Sequence, residues 1–165
     1  MIAILDNVLS DKDFSGFKEA ASIFNTVNPE GLWFEVGVYE DPYIKILLEI
    51  ANNYFDLTKV RGYEVWTHNN TKPTADMDGG CHYDKDEYRW ATNKVLSFPV
   101  CSLVFYLKVD NVVNGNLIVK DISIAPRMNR LVIFGPGTKH RVEDFVGDRF
   151  SISINPWNRL LEEYK

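Results

Sequence analysis

The chain has 165 residues, 45% of them apolar and 13% aromatic, so it can bury a substantial core and is not a disordered segment. Its net charge of −5 and pI near 5.2 argue against a protein that lives on nucleic acid or on an anionic membrane. Two cysteines, Cys81 and Cys101, are too few for a disulfide framework and fit a reducing compartment.

The first residues, MIAILDNVLS, carry no basic n-region, and no run reaches the about 18 apolar residues of a membrane span. The expectation is a cytoplasmic protein with no membrane partner. Ser10 followed by Asp13 resembles a capping box, and Phe14, Phe17, Ala21 and Phe24 recur at helical spacing, which predicts a helix over 11–25. Residues 32–38 read as a strand. Asp41-Pro42 then supplies an N-cap with proline at the first helical position, and Ile44, Leu47, Leu48, Ala51 and Phe55 form an apolar stripe. Two amphipathic helices this early most simply buttress one face of a sheet.

From Tyr63 the period changes to two. Residues 63–68 read as a strand, and the polar stretch 69–80 as a loop that delivers the chain to His82 and could act as a lid or substrate-binding element. The charged segment 85–89 reads as a solvated rim. In the strand that follows, Leu103, Phe105, Leu107 and Val109 form an apolar face, and Ser102, Val104, Tyr106 and Lys108 a mixed one. Asn114-Gly115 is a hairpin signal, with Leu117-Ile118-Val119 as the return strand. Leu131 to Phe134 is a short buried run, and Gly135-Pro136-Gly137 turns the chain so that His140 begins the next strand. In the last strand Phe150, Ile152 and Ile154 alternate with Arg149, Ser151, Ser153 and Asn155, so one face is apolar and the other a polar row headed by a guanidinium. Eight or so short strands after two helices suggest a jelly roll. No linker or internal repeat is visible, and the expected organisation is one domain over 1–165, with a helical buttress over about 1–60 and a jelly-roll core over about 61–157.

The chemistry centres on Cys81-His82-Tyr83-Asp84. In an extended segment residues i and i+2 face the same way, so His82 and Asp84 can grip one ion together. If a neighbouring strand brings His140 beside them, two imidazoles and one carboxylate leave coordination positions open, a set suited to non-haem Fe(II). Each member also has a plain structural reading: His82 as an ordinary histidine, Arg149 as a surface ion-pair partner, Cys81 as a free thiol. His68 is expected to pack rather than to line a pocket, and Trp66 and Trp157 to belong to core or rim.

The ordered elements His82-Tyr83-Asp84, Val104-Phe105-Tyr106-Leu107, Asn114-Gly115-Asn116-Leu117, Arg130 to Phe134, His140 and Arg149-Phe150-Ser151 run through about 63–157. In that order and spacing the sequence resembles the Fe(II)/2-oxoglutarate-dependent dioxygenases, nearest in layout to their prolyl-hydroxylase-like branch. The resemblance implies a mainly β double-stranded β-helix, cupin-like, with flanking N-terminal helices. It implies Fe(II) held by His82, Asp84 and His140, and 2-oxoglutarate held by Arg149 with help from Tyr106, Ser151 and Ser153. O₂ would be the other co-substrate, and a C–H bond, of a peptide or amino acid side chain, would be hydroxylated with release of succinate and CO₂. The presence of Asp84 favours hydroxylation, because halogenating relatives lack the carboxylate.

The chain departs from the pattern in places. Asn114 stands where the family often has a first glycine, and residues 69–80 match nothing specific. Asn155 replaces the second arginine of the nucleic-acid-demethylating branch, which with the acidic pI makes a nucleic-acid partner unexpected. Two other readings remain open on the residues alone: a non-catalytic jelly-roll binding module with a structural metal, and a cupin-type metalloenzyme independent of 2-oxoglutarate.

Overall fold

A computed structural model of the protein describes residues 1–28, 30–38, 41–69 and 80–164. Both predicted helix starts are present. Ser10 Oγ accepts from the Asp13 amide and donates to Asp13 Oδ2, opening α1 (Asp11–Val27), and Asp41 Oδ1 accepts from the amides of Tyr43 and Ile44, opening α2 (Pro42–Ala51). Ahead of α1 lies β1 (Ile2–Asp6), a strand that the sequence reading missed. Between the helices β2 spans only Leu32–Glu35, because residues 36–38 turn away.

After α2 come β3 (Gly62–Asn69), α3 (Glu87–Asn93), β4 (Ser102–Asn114), β5 (Leu117–Val119), β6 (Ile122–Ile124), β7 (Arg130–Phe134), β8 (His140–Val142) and β9 (Phe145–Trp157). A six-stranded antiparallel sheet has the order β1-β7-β4-β9-β3-β2, and a three-stranded one the order β6-β5-β8. The fold is therefore mainly β, a jelly roll with α1 and α2 on one side.

The larger sheet buries both faces. Leu103, Phe105, Ile152 and Ile154 meet Phe17 and Ala21 of α1 and Ile44 and Leu47 of α2, so the helices do buttress this face. Val104, Tyr106 and Val132 meet Leu117, Val119 and Ile124 of the smaller sheet. The polar row of β9 also lies on this second side, because Tyr106 stands opposite Ser151 and Val104 opposite Ser153.

Three further expectations are corrected. Asn114 and Gly115 both take positive φ, 64° and 74°, as a tight turn of the predicted kind requires, but no hairpin follows. β5 pairs with β6 and β8 and not with β4, so the turn carries the chain from one sheet to the other. Val109 does not share the face of Leu107. A register shift between Tyr106 and Lys108 inverts the alternation and places Val109 against the Val104–Tyr106 cluster. Segment 85–89 is a solvated rim only in part: Glu87 and Tyr88 are exposed, and Asp86 is the exception. Asp86 is buried, caps α3 by accepting from the Arg89 amide at 2.7 Å, and pairs with Arg159 at 2.6 Å.

Candidate metal centre

His140 opens β8, and His82 lies beside it as an isolated antiparallel bridge rather than within a strand of its own. His82, Asp84 and His140 offer ligand atoms that all lie within 4.8 Å of one another, and they are the sole such group of three or more among the described residues. Each imidazole is anchored at its rear nitrogen. His82 Nδ1 lies 2.8 Å from the Gly80 carbonyl oxygen and His140 Nδ1 3.0 Å from that of Thr138. With Nδ1–H donating to those carbonyls, the Nε2 lone pair of each ring is free and faces Asp84 Oδ1, at 3.9 Å from His82 and 3.6 Å from His140. Burial pushes the His140 imidazole toward its neutral form, against the pull of Asp84. A neutral ring is the form that ligates a metal.

The other oxygen of the carboxylate has its own partner: Ser102 Oγ donates to Asp84 Oδ2 at 2.5 Å. His82 is 55% exposed at its side chain while His140 is 8% and Asp84 10% exposed, so the site opens on the His82 side. Phe134 closes it behind His140, with ring centroids 4.7 Å apart.

On the same face of the larger sheet, Arg149 is buried and its Nη1 donates to Ser151 Oγ at 3.2 Å. Its guanidinium carbon lies 5.1 Å from the centre of the Tyr106 ring. The plain reading of Arg149 as a surface ion-pair partner fails on burial, and the neighbouring Asp148 is engaged by Lys108 at 2.6 Å. The Tyr106 hydroxyl is fully buried with no hydrogen-bond partner, and burial raises its pKa while Arg149 opposes the rise. A phenol that keeps its proton beside a guanidinium is a paired donor for a carboxylate. Ser151 and Ser153 are buried in the same row.

One residue of this face was not singled out from the sequence, and another was assigned a packing role. Ser102 was read only as part of a mixed face, and nothing local to it signals a carboxylate partner arriving from another segment. His68, expected to pack, stands opposite Ser151 and so faces the site, although it also meets Trp66 edge-on. Burial first, then Arg149, pushes its imidazole down to about 4. Strand parity could have found it, since Trp66 and His68 share one face of β3. Trp66 stands opposite Ser153, whereas Trp157 is core. Most of the 69–80 loop lies outside the described residues. Two grooves of about 400 Å³ open among the helices, one beside Lys45 and Leu48 and one beside Phe24 and Ile44, and neither reaches the polar row.

No protein-family model matches the sequence, and no curated protein matches it. Solved structures do resemble the fold. A prolyl 4-hydroxylase from Pseudomonas putida superimposes with a TM-score of 0.64 at 17% identity, over 96% of this chain and 88% of that one. A viral collagen prolyl hydroxylase from Paramecium bursaria Chlorella virus-1, in truncated form, gives 0.61 at 19% identity over 94% and 89%. A prolyl hydroxylase from Trichoplax adhaerens, in complex with a peptide fragment of the hypoxia inducible factor oxygen degradation domain, gives 0.59 at 14% identity over 95% and 83%.

Proposed function

We propose that the chain is a single-domain Fe(II)- and 2-oxoglutarate-dependent dioxygenase that hydroxylates a C–H bond and releases succinate and CO₂. The observation that carries this reading is the convergence of His82 Nε2, His140 Nε2 and Asp84 Oδ1 on the face that also holds the buried Arg149–Tyr106 pair. Three neutral-nitrogen and carboxylate donors suit Fe(II) and leave positions for a bidentate oxoacid and O₂. The buried, unpartnered Tyr106 hydroxyl fits a carboxylate arriving beside Arg149. When bound, Fe(II), 2-oxoglutarate and O₂ would supply the oxidising chemistry.

The residues of this chain do the rest. His82 and His140 would hold the metal through Nε2 while the Gly80 and Thr138 carbonyls fix the ring planes. Asp84 supplies the third donor through Oδ1. Arg149 and Tyr106 would bind the far carboxylate of 2-oxoglutarate, and Ser151 and Ser153 line the remainder of the row. Phe134 and the apolar cluster of Val104 and Val132 keep bulk water from the far side.

The substrate on this reading is a peptide or amino acid side chain. The fold alone does not choose it. What supports a peptide is the exposed apolar and aromatic side chains within and after the pair His82 and Asp84, where Tyr83, Tyr88 and Trp90 are each more than a third exposed and Leu96 half exposed. The acidic net charge of the chain also suits a polypeptide better than a nucleic acid.

Anaerobic protein given Fe(II) and 2-oxoglutarate should develop a visible metal-to-ligand charge-transfer band, and air with a suitable substrate should yield succinate. A wild-type protein that takes up iron but shows neither the band nor 2-oxoglutarate consumption would overturn the reading in favour of a binding module. A screen over peptides, free amino acids and nucleosides by succinate release identifies the substrate class.

A further inference from the structure

We infer that Ser102 is a positioning residue that holds Asp84 as a one-oxygen ligand, keeping a coordination position open at the metal. The inference rests on the metal reading above and adds a residue to it. Asp84 presents its two oxygens to different partners. Oδ1 faces both imidazoles, at 3.6 and 3.9 Å, while Oδ2 accepts the Ser102 hydroxyl at 2.5 Å. Ser102 is itself 3% exposed and sits at the first position of β4, with its backbone in register opposite Phe134, the residue that closes the site behind His140. The donor is therefore fixed by a long strand inside the larger sheet, whereas Asp84 lies in an irregular segment between the His82 bridge and α3. The strand holds the hydroxyl, and the hydroxyl holds the carboxylate.

The consequence follows from carboxylate chemistry. A free aspartate can chelate a cation through both oxygens or bind through one. With two imidazoles already placed, chelation would occupy a fourth position and compete with the oxoacid and O₂ for the positions that remain. A hydrogen bond to Oδ2 stabilises that oxygen as an acceptor from the protein and disfavours its turning to the metal. Outer hydrogen bonds of this kind orient ligands, and their loss commonly weakens metal binding about 10–100-fold.

Co(II) serves as an aerobically stable spectroscopic probe without 2-oxoglutarate. Wild-type protein should bind it with one set of d–d bands, and Ser102→Thr, which keeps the hydroxyl, should reproduce both affinity and spectrum. Ser102→Ala should bind Co(II) roughly tenfold or more weakly and with altered bands, while its thermal unfolding without metal reports the purely structural cost separately. Where the alanine protein does not fold, the wild type still decides the matter. Its infrared difference spectrum on Co(II) addition should show the widely separated carboxylate stretches of one-oxygen ligation. Wild-type affinity and bands in Ser102→Ala, or two-oxygen stretches in the wild type, would overturn the inference while leaving the dioxygenase reading intact. Failure of wild-type protein to bind any divalent metal would overturn both.

Discussion

His82 and His140 exchange both of their backbone hydrogen bonds, each 2.9 Å long, and so form a hydrogen-bonded antiparallel pair. Residues directly opposite in such a pair point to the same face, which brings the two imidazole centroids to 4.4 Å. The two candidate ligands are thus positioned by sheet pairing, and His140 is held on its other side by Val119 of β5.

Removing either end of that grip should abolish turnover. His82→Ala and Asp84→Ala are expected to form no succinate and to lower Co(II) affinity by at least about 100-fold, since each removes one of three donors. Isothermal titration and succinate assay check this together. A His82→Ala protein with undiminished turnover would sink the ligand assignment.

Arg149 acts on a different quantity. Arg149→Ala should raise the KM for 2-oxoglutarate roughly 10–100-fold, the worth of about 1.5–3 kcal/mol for hydrogen bonds to a charged group, while Co(II) affinity without 2-oxoglutarate stays near wild type. Tyr106→Phe should show a smaller rise in the same direction, as it removes one donor and no charge. Equal losses in Co(II) binding and in 2-oxoglutarate binding would show that Arg149 acts on the fold instead.

Burial of His68 should make the metal-free protein acid-sensitive. Its folded pKa near 4 lies below the ordinary 6.5, so between those values the unfolded chain binds a proton that the folded chain does not. Its contribution to stability is whole above pH 6.5 and falls as pH drops toward 4, by up to about 3 kcal/mol. Urea midpoints of wild type and His68→Gln measured from pH 7 to 4.5 should converge as the pH falls. Parallel curves would show that His68 is not the group responsible.

Asp86 anchors the segment that follows the ligands. Its buried carboxylate caps α3 and pairs with Arg159, whose guanidinium also lies 5.6 Å over the Trp157 ring. Asp86→Ala removes a cap and leaves a partly exposed arginine without its partner, a loss of about 2–3 kcal/mol. The expected readout is a lower thermal midpoint together with weaker Co(II) binding, because Asp84 is two residues away. An unchanged midpoint would mean that α3 is not tied down through this pair.

Much of this protein was written in local periodicity. The stripe of Phe17 and Ala21, the caps at Ser10 and Asp41, and the alternation from Arg149 to Asn155 each record which side of one element is buried, and each is borne out. The spacing of His82 and Asp84 and the turn before His140 marked the three residues as candidates, although His82 proves to be an isolated bridge and Asp84 lies in an irregular segment. Neighbouring residues in a strand have no freedom in which face they take.

The tertiary structure decided what local pattern cannot encode: which strands meet, and in what register. It set His82 against His140, brought Ser102 to Asp84, turned His68 toward Arg149, and sent β5 away from β4 despite a sound turn at Asn114-Gly115. A single register shift after Tyr106 inverted the face of Val109. Such pairings depend on the summed burial of distant segments, and one added residue reverses every side chain beyond it.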